Sequence, residues 1–147
     1  MTHEFWMREA LKEARNALSE GEVPVGAVIV KDGSVVSKAH NRCEQLHDPT
    51  AHAEFLAMQQ AFQALGSLSD CTLYVTLEPC VFCAGAMVRF RLLSLVYGAF
   101  DKTAGCCGSR LDLTDHWFEH SVKTVGGILA AESETLLREF FSSLRNP

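Results

Sequence analysis

Met7, Ala10, Leu11, Ala14, Ala17 and Leu18 recur at three- and four-residue intervals, which predicts a helix with one apolar face. Gly21 and Pro24 stop it. The apolar runs VGAVIV (25–30) and VVSKA (35–39) predict two strands, joined at Asp32-Gly33, a pair suited to a tight hairpin. Residues 41–50 are polar, and Asp48-Pro49 breaks any regular structure there. A helix is expected to start between Thr50 and His52 and to run to about Leu65. CTLYVT (71–76) is rich in strand formers and has no polar alternation, so it predicts a buried strand. Pro79 permits a helix over 80–90, and LSLVYG (93–98) predicts another buried strand. The glycine-bearing 105–109 stretch is expected to be a loop, 121–125 a short strand, and 129–144 a closing helix. A hairpin followed by alternating helices and strands implies a mixed five-stranded sheet covered by helices, a three-layer α/β/α sandwich. Strand-to-helix junctions of such sheets are the usual place for a ligand.

The 147 residues suit one domain, taken as 1–147. With 48% hydrophobic and 21% charged residues, the chain is neither disordered, collagenous nor coiled-coil. No apolar run approaches the ~18–20 residues of a membrane span. The opening MTHEFWMREALKEAR lacks the apolar stretch of a secretion signal, so no membrane association and a cytoplasmic location are expected. In that setting six cysteines argue for metal binding or catalysis over disulfides. The net charge of −5 argues against broad, nonspecific affinity for nucleic acid. Charge is uneven, however. Residues 43–88 carry five acids and no Lys or Arg, whereas Arg89, Arg91, Lys102 and Arg110 face only Asp101 across 89–111. An anionic partner therefore remains compatible with a local basic surface.

Two segments carry the chemistry, His52-Ala53-Glu54 and Pro79-Cys80-Val81-Phe82-Cys83, each opening a predicted helix. Cys80 and Cys83, three residues apart, project to one side of a first helical turn. The positive end of a helix favours the thiolate. One imidazole and two thiolates make three ligands for a zinc ion, one per chain, and leave a fourth position for water. Glu54 lies two residues past His52, about 200° around a helix at 3.6 residues per turn. Both can converge only on a site beyond the helix N-terminus, where Glu54 would move protons without binding the metal. A CxxC pair with a remote histidine can also be a structural knuckle, closed by Cys43, Cys71, Cys106 or Cys107. A structural knuckle has no use for Glu54. HxE together with PCxxC is the pattern of zinc nucleobase deaminases. Cys71 reads as core, Cys106-Cys107 as ordinary thiols, and His3, His40, His116 and His120 as surface side chains without ligand spacing.

The sequence further resembles the bacterial tRNA-specific adenosine deaminases of the cytidine-deaminase superfamily. The likeness runs through FWMREAL, EVPVGAVIV (22–30), Asn41, DPTAHAE (48–54), TLYVTLEPCVFCAGAMV (72–88), VYGAFD (96–101) and GILAAE with Phe140-Phe141. The resemblance implies that His52, Cys80 and Cys83 hold zinc, that Glu54 shuttles protons, and that a wobble adenosine of a tRNA anticodon becomes inosine. It implies that Asn41 and the backbone of Ala53 contact the flipped base, that Asp101 lies near a neighbouring ribose, and that Phe140 or Phe141 lines an anticodon groove. It also implies a homodimer that binds the tRNA anticodon arm, with no organic cofactor. Phe82 stands where the family usually has methionine, and KTAGCC (102–107) departs from its usual order. Arg89, Arg91, Lys102 and Arg110 are the candidates for the RNA backbone. Two other readings remain open at this stage. One is a deaminase of a free base or nucleoside such as guanine or cytidine, and the other is a noncatalytic zinc-stabilised RNA-binding module.

Overall fold

The structure, a computed structural model, describes residues 1–115 and 118–145; His116 lies outside them. Five strands form one sheet in the order β2-β1-β3-β4-β5. They are β1 (Gly26–Lys31), β2 (Ser34–His40), β3 (Thr72–Leu77), β4 (Ser94–Ala99) and β5 (Lys123–Val125). β1 runs antiparallel to both β2 and β3, and β3, β4 and β5 run parallel. Asp32 and Gly33 turn the hairpin with φ of 50° and 72°, the left-handed geometry a two-residue connection requires.

The side chains of β1, β3 and β4 alternate between two cores, as a pleated strand dictates. Ile29, Leu73, Val75 and Leu95 face a cluster with Ala57 and Met58 of α3 (Ala53–Leu65) and Met87 of α4 (Val81–Arg89). Val28, Tyr74 and Val96 face the other, with Met7, Ala10, Leu11 and Ala14 of α1 (His3–Ser19) and Leu136 of α5 (Ala130–Arg145). This is the expected α/β/α sandwich, with α3 and α4 on one face and α1 and α5 on the other. α1 comes so close to β1 that a Cβ on Gly26 would sit 2.1 Å from the Ala10 carbonyl oxygen. One element has no counterpart in the sequence reading, the four-residue α2 (Cys43–Leu46). Among the described residues, no helix is long and apolar enough to cross a membrane.

Ser133 on α5 is 1% exposed, and its hydroxyl has no hydrogen-bond partner among the described residues. A buried unsatisfied hydroxyl costs roughly 1–3 kcal/mol. Ser133→Ala is therefore expected to stabilise the fold by about 1 kcal/mol, raising Tm by ~2–4 °C in calorimetry. A lower Tm would mean that the hydroxyl has a partner in solution.

Candidate active site

The two chemistry-bearing segments sit where helices begin. His52 is the N-cap of α3 and Cys80 the N-cap of α4, both in extended conformation, and neither side chain caps its own helix. Each is therefore free to face the other. His52 Nδ1 lies 3.7 Å from Cys80 Sγ and 3.5 Å from Cys83 Sγ. The three donor atoms lie within 4.8 Å of one another, and they are the one such group of three among the described residues. Bond lengths of ~2.3 Å to sulfur and ~2.0 Å to nitrogen, at a tetrahedral angle, imply an N···S separation of roughly 3.5 Å. The donor set fits a zinc ion without rearrangement. Cys43, Cys71, Cys106 and Cys107 do not join it, so the structural-knuckle arrangement finds no fourth cysteine here.

Without an ion, the two thiols divide their acidity. Cys80 is held well below the ordinary thiol range by hydrogen bonds that its sulfur accepts from Cys83 and from His52. Cys83, fully buried, is driven up by its hydrogen bond to Cys80 and by burial. Phe82 packs its ring edge-on to His52 at 6.3 Å and to Phe55 at 4.8 Å, screening the outer side of the imidazole.

Glu54 occupies the first turn of α3 and is 4% exposed. Burial pushes its carboxyl up to about 7, against the opposing pull of its own backbone amide and of His52. A carboxyl poised near neutrality can both take and return a proton. Asn41, buried at the end of β2, accepts a hydrogen bond from the Ala53 N–H through Oδ1 at 2.7 Å. That leaves the Asn41 amide NH2 as the group able to donate to a ligand. The Ala53 N–H is already shared with Asn41 before any base arrives.

Asn41, His52, Glu54, Cys80 and Asp101 line one cavity of about 240 Å³. Val23, Leu77 and Asp101 continue from it into a larger groove of about 800 Å³, walled by Lys102, Thr103, Leu137 and Phe141. Asp101 is half-buried, and its Oδ1 accepts from the N–H groups of Thr103 and Ala104. Phe140 is buried while Phe141 is exposed on the groove, so of the pair it is Phe141 that faces it.

The four cations do not form one patch. Lys102 lies in the groove, Arg110 is exposed in the loop beyond it, and Arg89 and Arg91 stand at the far end of α4. Arg91 is paired with Glu119 at 3.2 Å. Their proximity in sequence carries over to space only in part, because Leu92 and the buried strand β4 separate the two groups. Three histidines outside the site are engaged elsewhere: His40 between Glu13 and Glu20, His3 on the Tyr74 hydroxyl, and His120 on the Leu92 carbonyl.

Sequence reading singled out neither Glu22 nor Glu78, although both are buried and Glu78 lines the cavity. Glu22 accepts from the N–H groups of Glu44 and Gln45 and so fixes α2 behind Asn41. The available signal was an acidic residue flanked by apolar positions in each case.

Residues 1–145 match the family model of MafB19-like deaminases. The chain is 46% identical over 145 residues to a tRNA-specific adenosine deaminase of Bacillus subtilis (strain 168), covering 97% of this chain and 90% of the relative. It is 47% identical over 149 residues to a tRNA-specific adenosine deaminase of Aquifex aeolicus (strain VF5), covering 99% and 98%. A solved structure from a study of A-to-I editing by tRNA:A34 deaminases at the wobble position of transfer RNA superposes with a TM-score of 0.86. It has 40% identity and covers 90% of this chain and 99% of the other.

Proposed function

This chain belongs to the tRNA-specific adenosine deaminases of the MafB19-like deaminase family, and from that premise we propose how its residues convert a wobble adenosine to inosine. The reaction is hydrolytic: adenosine and water give inosine and ammonia. The observation that carries the reading is the convergence of His52, Cys80, Cys83 and Glu54 at the N-termini of two helices. When bound by the first three, zinc supplies the Lewis acid that makes water nucleophilic near neutral pH.

Glu54 takes the proton from the attacking water, whose oxygen bonds to C6 of the adenine. It passes that proton to N1 of the ring, then takes the second proton from the new C6 hydroxyl and delivers it to the amine, and the C6–N6 bond breaks with release of ammonia. Asn41 holds the base through its side-chain NH2, and the buried walls exclude bulk water. No organic cofactor is needed, since water and one carboxyl supply every proton moved. A base reaches so recessed a carboxyl only when it leaves its stack, which costs least in a single-stranded loop. The groove past Asp101 to Phe141 accommodates the neighbouring nucleotides, with Lys102 on their phosphates and Arg110 beyond it. Arg89, at the end of α4, and Arg91, just past it, lie away from this groove and are assigned to RNA reaching past the anticodon loop. We place the protein in the cytoplasm, where it meets tRNA, and as a homodimer. Val81 and Phe82 of α4 are exposed beside an apolar hollow lined by Gly85, Val88 and the exposed Phe118, a surface that a second copy would cover.

An RNA hairpin carrying a wobble adenosine, incubated with the zinc-loaded protein, is expected to gain one inosine at that position, read by mass spectrometry. Binding should weaken steeply between ~50 and ~200 mM salt if cations hold phosphates. The same preparation should sediment at twice the chain mass. Deamination of free guanine or cytidine with no change in the hairpin would overturn the RNA reading.

A further inference from the structure

We propose that Glu78 is a positioning residue that clamps the 101–109 loop as a preformed wall of the deamination cavity, an inference that rests on the deaminase reading above. Glu78 is 2% exposed, at the end of β3. Hydrogen-bond donors of one loop converge on its carboxylate. Oε1 accepts from the Asp101 N–H at 3.0 Å. Oε2 accepts from the Cys107 N–H at 3.1 Å and the Ser109 N–H at 3.0 Å. The Ser109 hydroxyl donates to Oε1 as well. Backbone bonds repeat the attachment: the Cys106 N–H donates to the Pro79 carbonyl and the Glu78 N–H to the Ala99 carbonyl, both at 2.9 Å.

The loop closes so tightly that a Cβ on Gly105 would lie 2.4 Å from the Glu78 carboxyl carbon. Only glycine permits that approach. Four donors around one group call for a carboxylate, because it accepts at both oxygens and donates at neither. An amide in its place would turn an NH2 toward backbone N–H groups. The clamp links two working parts. Glu78 immediately precedes Pro79-Cys80, which carries a metal donor, and its loop supplies Asp101 and Ala104 to the cavity. The wall that meets the nucleotide is thereby registered to the metal centre through one carboxylate.

A clamp of this kind governs how substrate is held more than how the bond is broken, which separates its kinetics from those of Glu54. In zinc-loaded Glu78→Gln, KM for the hairpin is expected to rise about tenfold while kcat changes by less than about threefold. Zinc should remain at one per chain. Amide exchange should accelerate within 101–109 and stay unchanged in α1. Ser109→Ala, which removes one donor and keeps the carboxylate, should raise KM by a smaller factor, about two- to threefold. It carries the test should Glu78→Gln not fold. Faster loop exchange with an unchanged KM would overturn the proposal, as would zinc and kcat falling together. If the unmodified protein makes no inosine, the deaminase reading fails. Unaltered exchange in 101–109 would then overturn the clamp as well, by a measurement that needs no activity.

Discussion

Glu54→Gln is expected to lower the rate of inosine formation by about 10²–10⁴-fold while leaving one zinc per chain. Glutamine fills the same buried volume, and Glu54 is not among the three donor atoms gathered at the helix ends, so neither packing nor metal affinity should change much. What is lost is the group that takes a proton from water and returns it to the base. The amide has no proton affinity of use near neutral pH, and the recessed cavity admits no ready substitute. Single-turnover measurements on the hairpin separate this from slow product release, and elemental analysis gives the metal content. Turnover within a few-fold of the unmodified protein would show that another group moves the protons. Loss of zinc in step with activity would show that Glu54 supports the metal instead.

Removing the metal is expected to abolish turnover and to lower Tm together. Cys83→Ala deletes a fully buried donor, and a chelator should reach the same end point with the unaltered chain. An ion held by these donors would join the start of α3 to the start of α4, positions 31 residues apart from His52 to Cys83. Any ligand that binds only the folded state stabilises it by mass action, ~2.7 kcal/mol when its free concentration is 100 times Kd. In the unaltered chain, adding zinc back should restore both activity and Tm. In Cys83→Ala it should restore neither. An unchanged Tm after verified removal of the metal would mean that the packing between α3 and the sheet carries this face without the ion.

The donor set was legible in the sequence because its geometry follows from local rules. A breaker before His52 and a proline before Cys80 each predict a helix start, and the spacing of two residues between His52 and Glu54 makes sense only there. The alternation of β1, β3 and β4 was legible as continuous apolar runs, since both faces of the sheet are covered. The four-residue α2 was not, because it has no room for a periodic pattern, and Glu22 fixes it from 22 residues away. Glu78 escaped for a related reason. Nothing about a glutamate after Leu77 reveals that amides some 23 to 31 residues downstream will surround it. The basic residues misled in the opposite sense: neighbours in sequence, they were parted by β4 and by the end of α4.

The parallel pairing of β3, β4 and β5 also has a consequence for synthesis. All three metal donors are in place once residue 83 has been made, but the closing strand and the 101–109 wall come later, and α5 is complete only at Arg145. At about 5–20 residues per second, the 62 residues from Cys83 to Arg145 take roughly 3–12 s to add. For that interval a nascent chain carries a full set of thiol and imidazole ligands beside an unfinished core. Delivery of zinc and protection of Cys80 and Cys83 from oxidation are thus problems of translation as much as of the finished fold. Conditions that slow elongation should enlarge the fraction of chains released without metal.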